Sequence, residues 1–284
     1  SAVGKLISGA DYRCTGDWEQ QERGKKMIDV KAKKRVVIKL GTSTLTHKTG
    51  RLNIRRVEQL VKALADLQNE GRELIIVSSG SVGPKEIPLK QACAAVGQCE
   101  LMYLYDKLFS QYNLTVAQVL VTKYILLEDR KQNVQNALRT IIEHGVIPIV
   151  NENDTVAIDE LELEIGENDS LAATIATIAH ADLLVILSDI DGLYDTDPRQ
   201  NQDAHLIPVV DTVTDEIRNL AGGAGSKLGS GGMITKIHAA EIANENGIDM
   251  IIMNGRNPDH LYDLFDNQPI GTQFLAKQQT AAQE

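Results

Sequence analysis

This chain of 284 residues contains few cysteines, and its net charge is not positive. The three cysteines, Cys14, Cys93 and Cys99, are odd in number and lack metal-ligand spacing, which favours a reducing compartment over a disulfide-bonded secreted protein. Lys and Arg total 29 against 39 Asp and Glu, a formal net charge of −10. A chain this acidic lacks the excess of cations with which proteins bind nucleic acid. An anionic ligand must therefore be held locally, by single lysines, backbone amides or a metal ion.

Long apolar runs are also missing. No stretch approaches the roughly 18 consecutive apolar residues of a membrane-spanning helix. Residues 1–34 are too charged to contain the apolar segment of a signal peptide. We therefore expect no membrane partner and a cytoplasmic location. The hydrophobic fraction of 43% is still enough to bury the core of a globular domain.

Short runs rich in Val, Ile and Leu alternate along the chain with helical patterns. Between the first two runs, apolar residues recur at helical spacing from Ile54 to Leu64, and Gly71 follows as a stop signal. The runs predict strands buried on both faces. Their alternation with helices predicts a three-layer α/β/α sandwich with a mainly parallel central sheet. The six predicted strands are RVVIKL (35–40), ELIIVSS (73–79), VAQVLVT (116–122), VIPIV (146–150), LLVILSD (183–189) and DMIIMN (249–254).

Small polar residues follow most of these predicted strands. Hydroxyl, amide and carboxylate groups come directly after four of the runs and also open one helix, and parallel sheets bind ligands beyond the carboxyl ends of their strands. The five segments are KLGTS (39–43), SSGS (78–81), NEND (151–154), SDIDG (188–192) and ENDS (167–170). Together they predict a polar cleft of mixed charge at one edge of the sheet.

Two lysines lie where a phosphate group could be bound. Lys39 interrupts an apolar strand just before Gly41, and the alternative interpretation is a lysine that reaches solvent from an edge strand. Lys236 follows the glycines of LGSGGMITK (228–236) in the first turn of a predicted helix, where free amides and the helix dipole favour an anion. The spacing differs from that of the P-loop, G-x-x-x-x-G-K-[ST].

Seven segments in this order resemble the amino acid kinase family. They are IKLGTS, VSSGSVG, AAVGQ, VNENDTV, GENDSLAA, LSDIDGLYDTDPR and LGSGGMITK, and the match runs from about residue 34 to residue 276. The segments are most similar to the branch that uses ATP to phosphorylate the γ-carboxylate of L-glutamate. That reaction gives L-glutamyl 5-phosphate, the first step of proline biosynthesis. The implied organisation is an extension of unknown role at 1–33, a kinase domain at 34–276 and a tail at 277–284, without the PUA domain that many members carry.

The resemblance also implies roles for individual residues. Lys39 and Lys236 flank the transferring phosphoryl group, and Asp169 holds the two lysines in position. The implied glutamate-binding residues are Gly41, Thr42, Ser79, Asp154 and Asn168, and the implied ATP-binding residues are Lys39, Ser188, Asp189, Ser230, Gly231, Gly232, Met233, Ile234, Thr235 and Lys236. Mg²⁺ is expected on the ATP phosphates and water rather than on protein ligands. Proline is expected as feedback inhibitor, and the protein is expected to be a homo-oligomer.

Several alternatives remain at the level of sequence. Asp154 and Asn168 could be helix caps or turn residues, and Asp191-Gly192 could be a simple turn. We expect instead that Asp154 is a buried carboxylate that pairs with the α-ammonium of glutamate. Branches of the family that act on N-acetylglutamate, aspartate or UMP would share the fold and the lysines. A non-catalytic amino-acid sensor would share the fold, and retention of both lysines with Asp169 favours an enzyme over a sensor. A dinucleotide-dependent dehydrogenase is excluded, because LGTSTL after the first strand lacks G-x-G-x-x-G.

Overall fold

The computed structural model describes residues 27–78, 90–122, 128–156, 168–222 and 232–277. Within these ranges the strands form an eight-stranded sheet in the order β3-β4-β2-β1-β5-β7-β8-β6. The strands are β1 (Arg35–Leu40), β2 (Glu73–Ser78), β3 (Val116–Val121), β4 (Ile147–Glu152), β5 (Leu183–Ser188), β6 (Val209–Val210), β7 (Asp249–Asn254) and β8 (Thr272–Phe274).

The sheet is mainly parallel, as predicted. β1 lies between β2 and β5 and pairs with both in parallel, and β5 pairs in parallel with β7. β8 runs antiparallel to β7, and β6 pairs in parallel with β8. The carboxyl ends of β1, β2, β4, β5 and β7 therefore lie along one edge of the sheet.

Helices cover both faces of the sheet. Alternate residues of β1 point to opposite faces, so Val36, Ile38 and Leu40 pack into one core and Val37 into the other. The α-helices of the described residues are α1 (Thr42–Leu45), α2 (Ile54–Asn69), α3 (Lys90–Phe109), α4 (Glu128–Glu143), α5 (Asn168–Ile178), α6 (Asp215–Ala221), α7 (Met233–Glu245) and α8 (His260–Phe265). The first core is shared with α2, α3 and α8, and the second with α4, α5 and α7. The chain is thus a three-layer α/β/α sandwich.

The local sequence explains where α2 begins and ends. The side chain of Asn53 accepts a hydrogen bond from the amide of Arg56, which caps the amino terminus. The stripe that includes Val57, Val61 and Leu64 is fully buried. Ile54, at the start of the same pattern, is exposed. Gly71, with a φ of 99°, then reverses the chain into β2.

The edge strand β3 differs from its prediction. We expected this strand to be buried on both faces, but within it only Val121 is buried, the other residues are half-buried or exposed, and Leu120 is 38% exposed. The physical reason is its position, because within the described sheet β3 has a neighbour, β4, on one side only. A strand at the edge receives less cover from the helices than a central strand does.

The packed part of the chain begins upstream of residue 34. Ile28 and Val30 belong to the first core, and the amide of Ile28 donates to Oε1 of Gln273 at 2.8 Å. Lys33 forms an ion pair with Asp249 at 2.6 Å. Ile28, Val30 and Lys33, which the sequence assigns to an extension, therefore contact the rest of the fold. Residues 1–26 and 278–284 lie outside the described residues. None of the helices in the described ranges combines the length and apolar character that a bilayer crossing requires.

Candidate active site

Four buried polar side chains lie at the carboxyl edge of the sheet. Lys39, Ser78, Asn151 and Ser188 are each at or next to the end of a parallel strand, and each is at most 8% exposed. Ser78 Oγ lies 3.2 Å from the hydroxyl of Tyr105. Burial of polar groups is costly unless they are satisfied. The presence of four such groups along one edge therefore makes this edge a candidate ligand site.

Lys39 reaches this edge from the centre of the sheet. Its register partners are Val77 of β2 and Ile186 of β5, and the residue is 8% exposed. A lysine flanked by strands on both sides is not an edge-strand lysine that reaches solvent, so that alternative is excluded. Because strand side chains alternate, Lys39 shares its face with Val37, which packs with α5 and α7.

Asp169 forms ion pairs with both predicted lysines. It is the second residue of α5 and is 1% exposed. Its Oδ1 lies 2.6 Å from Nζ of Lys39, and its Oδ2 accepts a hydrogen bond of 3.0 Å from Nζ of Lys236. Burial by itself raises the pKa of the Asp169 carboxyl, but the charges and hydrogen bonds of the two lysines outweigh burial and hold the pKa below its ordinary value of 3.8. The amino-terminal position on α5 adds a favourable dipole.

Lys236 is delivered by the first turn of α7. The N-cap residue of this helix is Gly232, in an extended conformation, and a glycine has no side chain to accept from the first amides. The first amides of a helix have no partner within the helix, so this turn presents N–H donors as well as the dipole to an anion. A Cβ built on Gly232 would meet nothing within 4 Å, which leaves open space beside the turn.

The Lys39–Asp169–Lys236 cluster carries two positive charges and one negative charge in a buried setting. Replacing a buried ion pair with apolar residues is often neutral or stabilising, so fold stability alone is a weak reason for such a cluster. An anion that approaches the edge from outside would meet a net positive charge, ordered lysines and helix amides. These are the features that phosphoryl transfer requires, since catalysis there consists mainly of positioning and charge neutralisation.

The residues predicted to bind the acceptor are only partly gathered at this cluster. Gly41 is adjacent, because a Cβ at that position would lie 3.7 Å from Nζ of Lys39. Asn168 directly precedes Asp169 and is half-buried, and Thr42 is exposed at the start of α1. Asp154 is exposed in the turn after β4, which corrects the expectation of a buried carboxylate. The physical reason is its place, because the turn lies at the polar rim of the sheet and lines an open cavity of about 650 Å³ next to α3. Ser79 lies outside the described residues.

The residues predicted to bind the nucleotide also differ in burial, and two of them are not described. Ser188 is buried, and its hydroxyl donates to Oδ1 of the exposed Asp189 at 3.4 Å. Met233 and Thr235 are half-buried in the first turn of α7, and Ile234 is 46% exposed. Ser230 and Gly231 lie outside the described residues.

Asp191 and Gly192 form a structural turn. Oδ1 of Asp191 accepts a hydrogen bond of 2.7 Å from Asn254, and Oδ2 accepts one of 3.0 Å from the hydroxyl of Tyr194. A Cβ on Gly192 would collide with the side chain of Thr272. Sequence reasoning missed Asn254 at this edge. The available signal was its position at the end of a predicted parallel strand.

Comparison with known proteins adds a family and a fold. The model of the amino acid kinase family matches residues 34–254. The glutamate 5-kinase of Clostridium perfringens is 49% identical over 262 residues, which cover 87% of this chain and 97% of that protein. The glutamate 5-kinase of Listeria monocytogenes serovar 1/2a is 46% identical over 264 residues, which cover 88% of this chain and 96% of that protein.

Solved structures with lower identity share the fold. The carbamate kinase from Giardia lamblia bound to AMP-PNP superposes with a TM-score of 0.62 at 18% identity, covering 87% of this chain and 100% of that one. The UMP kinase from Bacillus anthracis superposes with a TM-score of 0.60 at 16% identity, covering 86% of this chain and 96% of that one.

Proposed function

The chain belongs to the amino acid kinase family, and we propose from this premise that it transfers the γ-phosphoryl group of ATP to the γ-carboxylate of L-glutamate. The product is L-glutamyl 5-phosphate, which would make this the first reaction of proline biosynthesis. The buried Lys39–Asp169–Lys236 cluster is the observation that carries phosphoryl transfer. The choice of glutamate is supported by relatives named glutamate 5-kinase at 49% and 46% identity.

The chemical step needs no general base. The γ-carboxylate is already ionised at neutral pH, so one of its oxygens attacks the γ-phosphorus directly. A bond from that oxygen to phosphorus forms, the bond between phosphorus and the β–γ bridging oxygen breaks, and ADP leaves with the electron pair. Two anions meet in this step, so the residues must supply cations at fixed places. Lys236 faces the nucleotide side, Lys39 faces the transferring group, and Asp169 keeps both ammonium groups in place.

The acceptor end uses residues beyond the cluster. In this proposal Gly41, Thr42, Ser79, Asp154 and Asn168 surround glutamate, with Asp154 directed at its α-ammonium. Asp154 is exposed in the described structure. An exposed ion pair stabilises a complex by about 1 kcal/mol or less. Strong discrimination against N-acetylglutamate therefore requires that bound glutamate, or another segment of the protein, shields the Asp154 carboxylate from solvent.

The nucleotide end uses backbone amides more than side chains. Ser188, Asp189 and the segment from Ser230 to Lys236 line the ATP site in this proposal. The described ranges hold no group of three or more His, Cys, Asp or Glu side chains that could bind a metal ion. In this proposal Mg²⁺ enters with the substrate, bound to the ATP phosphates and water. Proline as feedback inhibitor, a homo-oligomeric assembly and a cytoplasmic location complete the proposal.

The acceptor can be identified by a single panel of assays. ADP release is measured with MgATP and each of L-glutamate, N-acetylglutamate, aspartate and UMP, and hydroxylamine is added to trap an acyl phosphate as its hydroxamate. Reactions without an acceptor serve as the control for contaminating ATPase. We expect glutamate to give the highest kcat/KM, with hydroxamate formed in step with ADP. A higher kcat/KM for another acceptor, or ADP release without hydroxamate, would refute the proposal.

A further inference from the structure

Thr235 directs its side chain at the acid of the cluster. Its Oγ1 lies 2.9 Å from Oδ2 of Asp169, the same oxygen that accepts from Lys236. The same hydroxyl lies 2.8 Å from the carbonyl oxygen of Gly232, one turn earlier in the chain. Thr235 therefore contacts both the buried carboxylate and the end of the glycine-rich segment.

The single hydroxyl proton can be donated to one acceptor at a time. A backbone carbonyl is neutral, whereas the Asp169 carboxylate is ionised, and hydrogen bonds to ionised acceptors are about twice as strong. The proton is therefore directed mainly at Asp169. A local hydrogen bond to the carbonyl of Gly232 within the first turn explains only one of the two contacts.

The hydroxyl restricts the orientation of the carboxylate. The terminal torsion of an aspartate is broad, so hydrogen bonds rather than rotamer preference determine how its two oxygens point. Oδ1 of Asp169 has Lys39 at 2.6 Å, and Oδ2 has Lys236 at 3.0 Å and Thr235 at 2.9 Å. Rotation of the carboxylate would displace both ammonium groups together.

We propose that Thr235 is a positioning residue that acts on the reaction through Asp169, to which its hydroxyl donates. This inference rests on the proposed function and changes one part of it, because the resemblance assigns Thr235 to ATP binding. Loss of a positioning contact lowers the rate of the chemical step, whereas loss of a nucleotide contact raises the KM for ATP.

Thr235→Val tests the hydroxyl while preserving shape and β-branching. We expect kcat to fall by about 10- to 100-fold, with the KM values for ATP and glutamate changed by less than about threefold. Thr235→Ser restores the hydroxyl and should recover kcat to within about threefold of wild type. The matched control is Thr177→Val, since Thr177 is also half-buried but its hydroxyl donates to the carbonyl of Ala173 within α5. This control should retain both kcat and KM.

A double variant tests whether the effect passes through Asp169. Thr235→Val added to Asp169→Asn should lower kcat by less than about threefold beyond Asp169→Asn alone, because contacts that act as one unit are not additive. Full additivity of the two effects would contradict the proposal.

Other outcomes also overturn it. These are a Thr235→Val enzyme with normal kcat, one with raised KM for ATP and normal kcat, a Thr235→Ser enzyme as slow as Thr235→Val, or a Thr177→Val enzyme equally impaired. If circular dichroism shows Thr235→Val to be unfolded, Thr235→Ser is compared with Thr235→Ala, and equal kcat values refute the inference.

Failure of the proposed substrate can be told apart from failure of this inference. Wild-type protein that turns over only with another acceptor refutes the proposed substrate, and the same variants are then compared with that acceptor.

Discussion

Lys39, Asp169 and Lys236 meet at one edge of the sheet, and a different local feature places each of them there. Strand alternation turns Lys39 towards the face covered by α5 and α7. Asp169 occupies the first turn of α5, and Lys236 the first turn of α7. Each helix therefore contributes its amino-terminal end, with its free amides, to the same place.

Both Lys39 and Lys236 should be needed for the chemical step. We expect Lys39→Ala or Lys236→Ala to lower kcat by at least about 100-fold, which is about 3 kcal/mol of transition-state stabilisation. The KM for glutamate should change much less. Steady-state kinetics test this, with Lys107→Ala as control because Lys107 is exposed on α3. Near-normal turnover in either cluster variant would assign that lysine a structural role.

Asp169 should affect stability in a pH-dependent way. Its pKa is lowered in the folded protein, because the two lysines outweigh the effect of burial. A lowered pKa contributes stability above the unfolded-state value near 3.8, and this contribution is lost as pH falls through the folded-state pKa. The difference in unfolding free energy between wild type and Asp169→Asn should therefore be constant from pH 7 to about pH 5 and narrow below about pH 4. Urea unfolding at several pH values measures it, and a difference that widens with acid would contradict this assignment.

At the scale of elements, periodicity was sufficient for long buried strands and insufficient for short ones. The runs at 35–40 and 249–254 match β1 and β7 residue for residue. The short strands β6 and β8 were not predicted, because two or three residues carry no period. The antiparallel direction of β8 depends on pairing with distant β7, which no local pattern contains.

The candidate site shows the same limit. Lys39 and the glycines before Lys236 were visible as local anomalies, and their assignment to a cluster with Asp169 came from the family resemblance. The exposure of Asp154 and the hydroxyl contact of Thr235 depend on how separate segments pack. Such contacts cannot be derived from spacing.

The turn before β8 should be intolerant of any side chain. Gly271 has a φ of 74°, and a Cβ there would collide with the carbonyl of Ile252 in β7. Gly145 has a φ of 71°, and a Cβ there would meet nothing within 4 Å. We expect Gly145→Ala to cost about 1 kcal/mol from strain alone and Gly271→Ala at least about 3 kcal/mol, because β8 must also move. Equal losses in urea unfolding would show that the contact with Ile252 is relieved without cost.

At the scale of the whole molecule, the residues that we propose for the acceptor and for the nucleotide follow strands that end along one sheet edge. The segment with Asp154 follows β4, Lys39 lies in the central strand β1, and Ser188 ends β5 on the other side of β1. In the proposed function, a second amino acid at the acceptor end would exclude glutamate and leave the nucleotide end unchanged. This arrangement favours regulation by competition for the acceptor site.

Proline should compete with glutamate in this arrangement. We expect proline to raise the apparent KM for glutamate with kcat unchanged at saturation, because proline resembles a cyclised glutamate. Substitutions in the 155–166 segment, of which residues 157–166 lie outside the described residues, should relieve inhibition before they abolish activity. Initial rates over a matrix of both amino acids test this, with alanine as control. Inhibition that saturating glutamate cannot reverse would indicate a separate site.

The order of strands also has a consequence for how the protein is made. β1 is synthesised early, yet its neighbours are β2 and the much later β5, and Lys236 follows β5 in the chain. A nascent chain that has emerged only as far as β4 contains Lys39 but neither Asp169 nor Lys236. Contacts between residues so far apart in sequence form slowly, because a long loop must close before they provide any stabilisation. Recovery of catalysis during refolding should therefore lag behind recovery of helical circular dichroism.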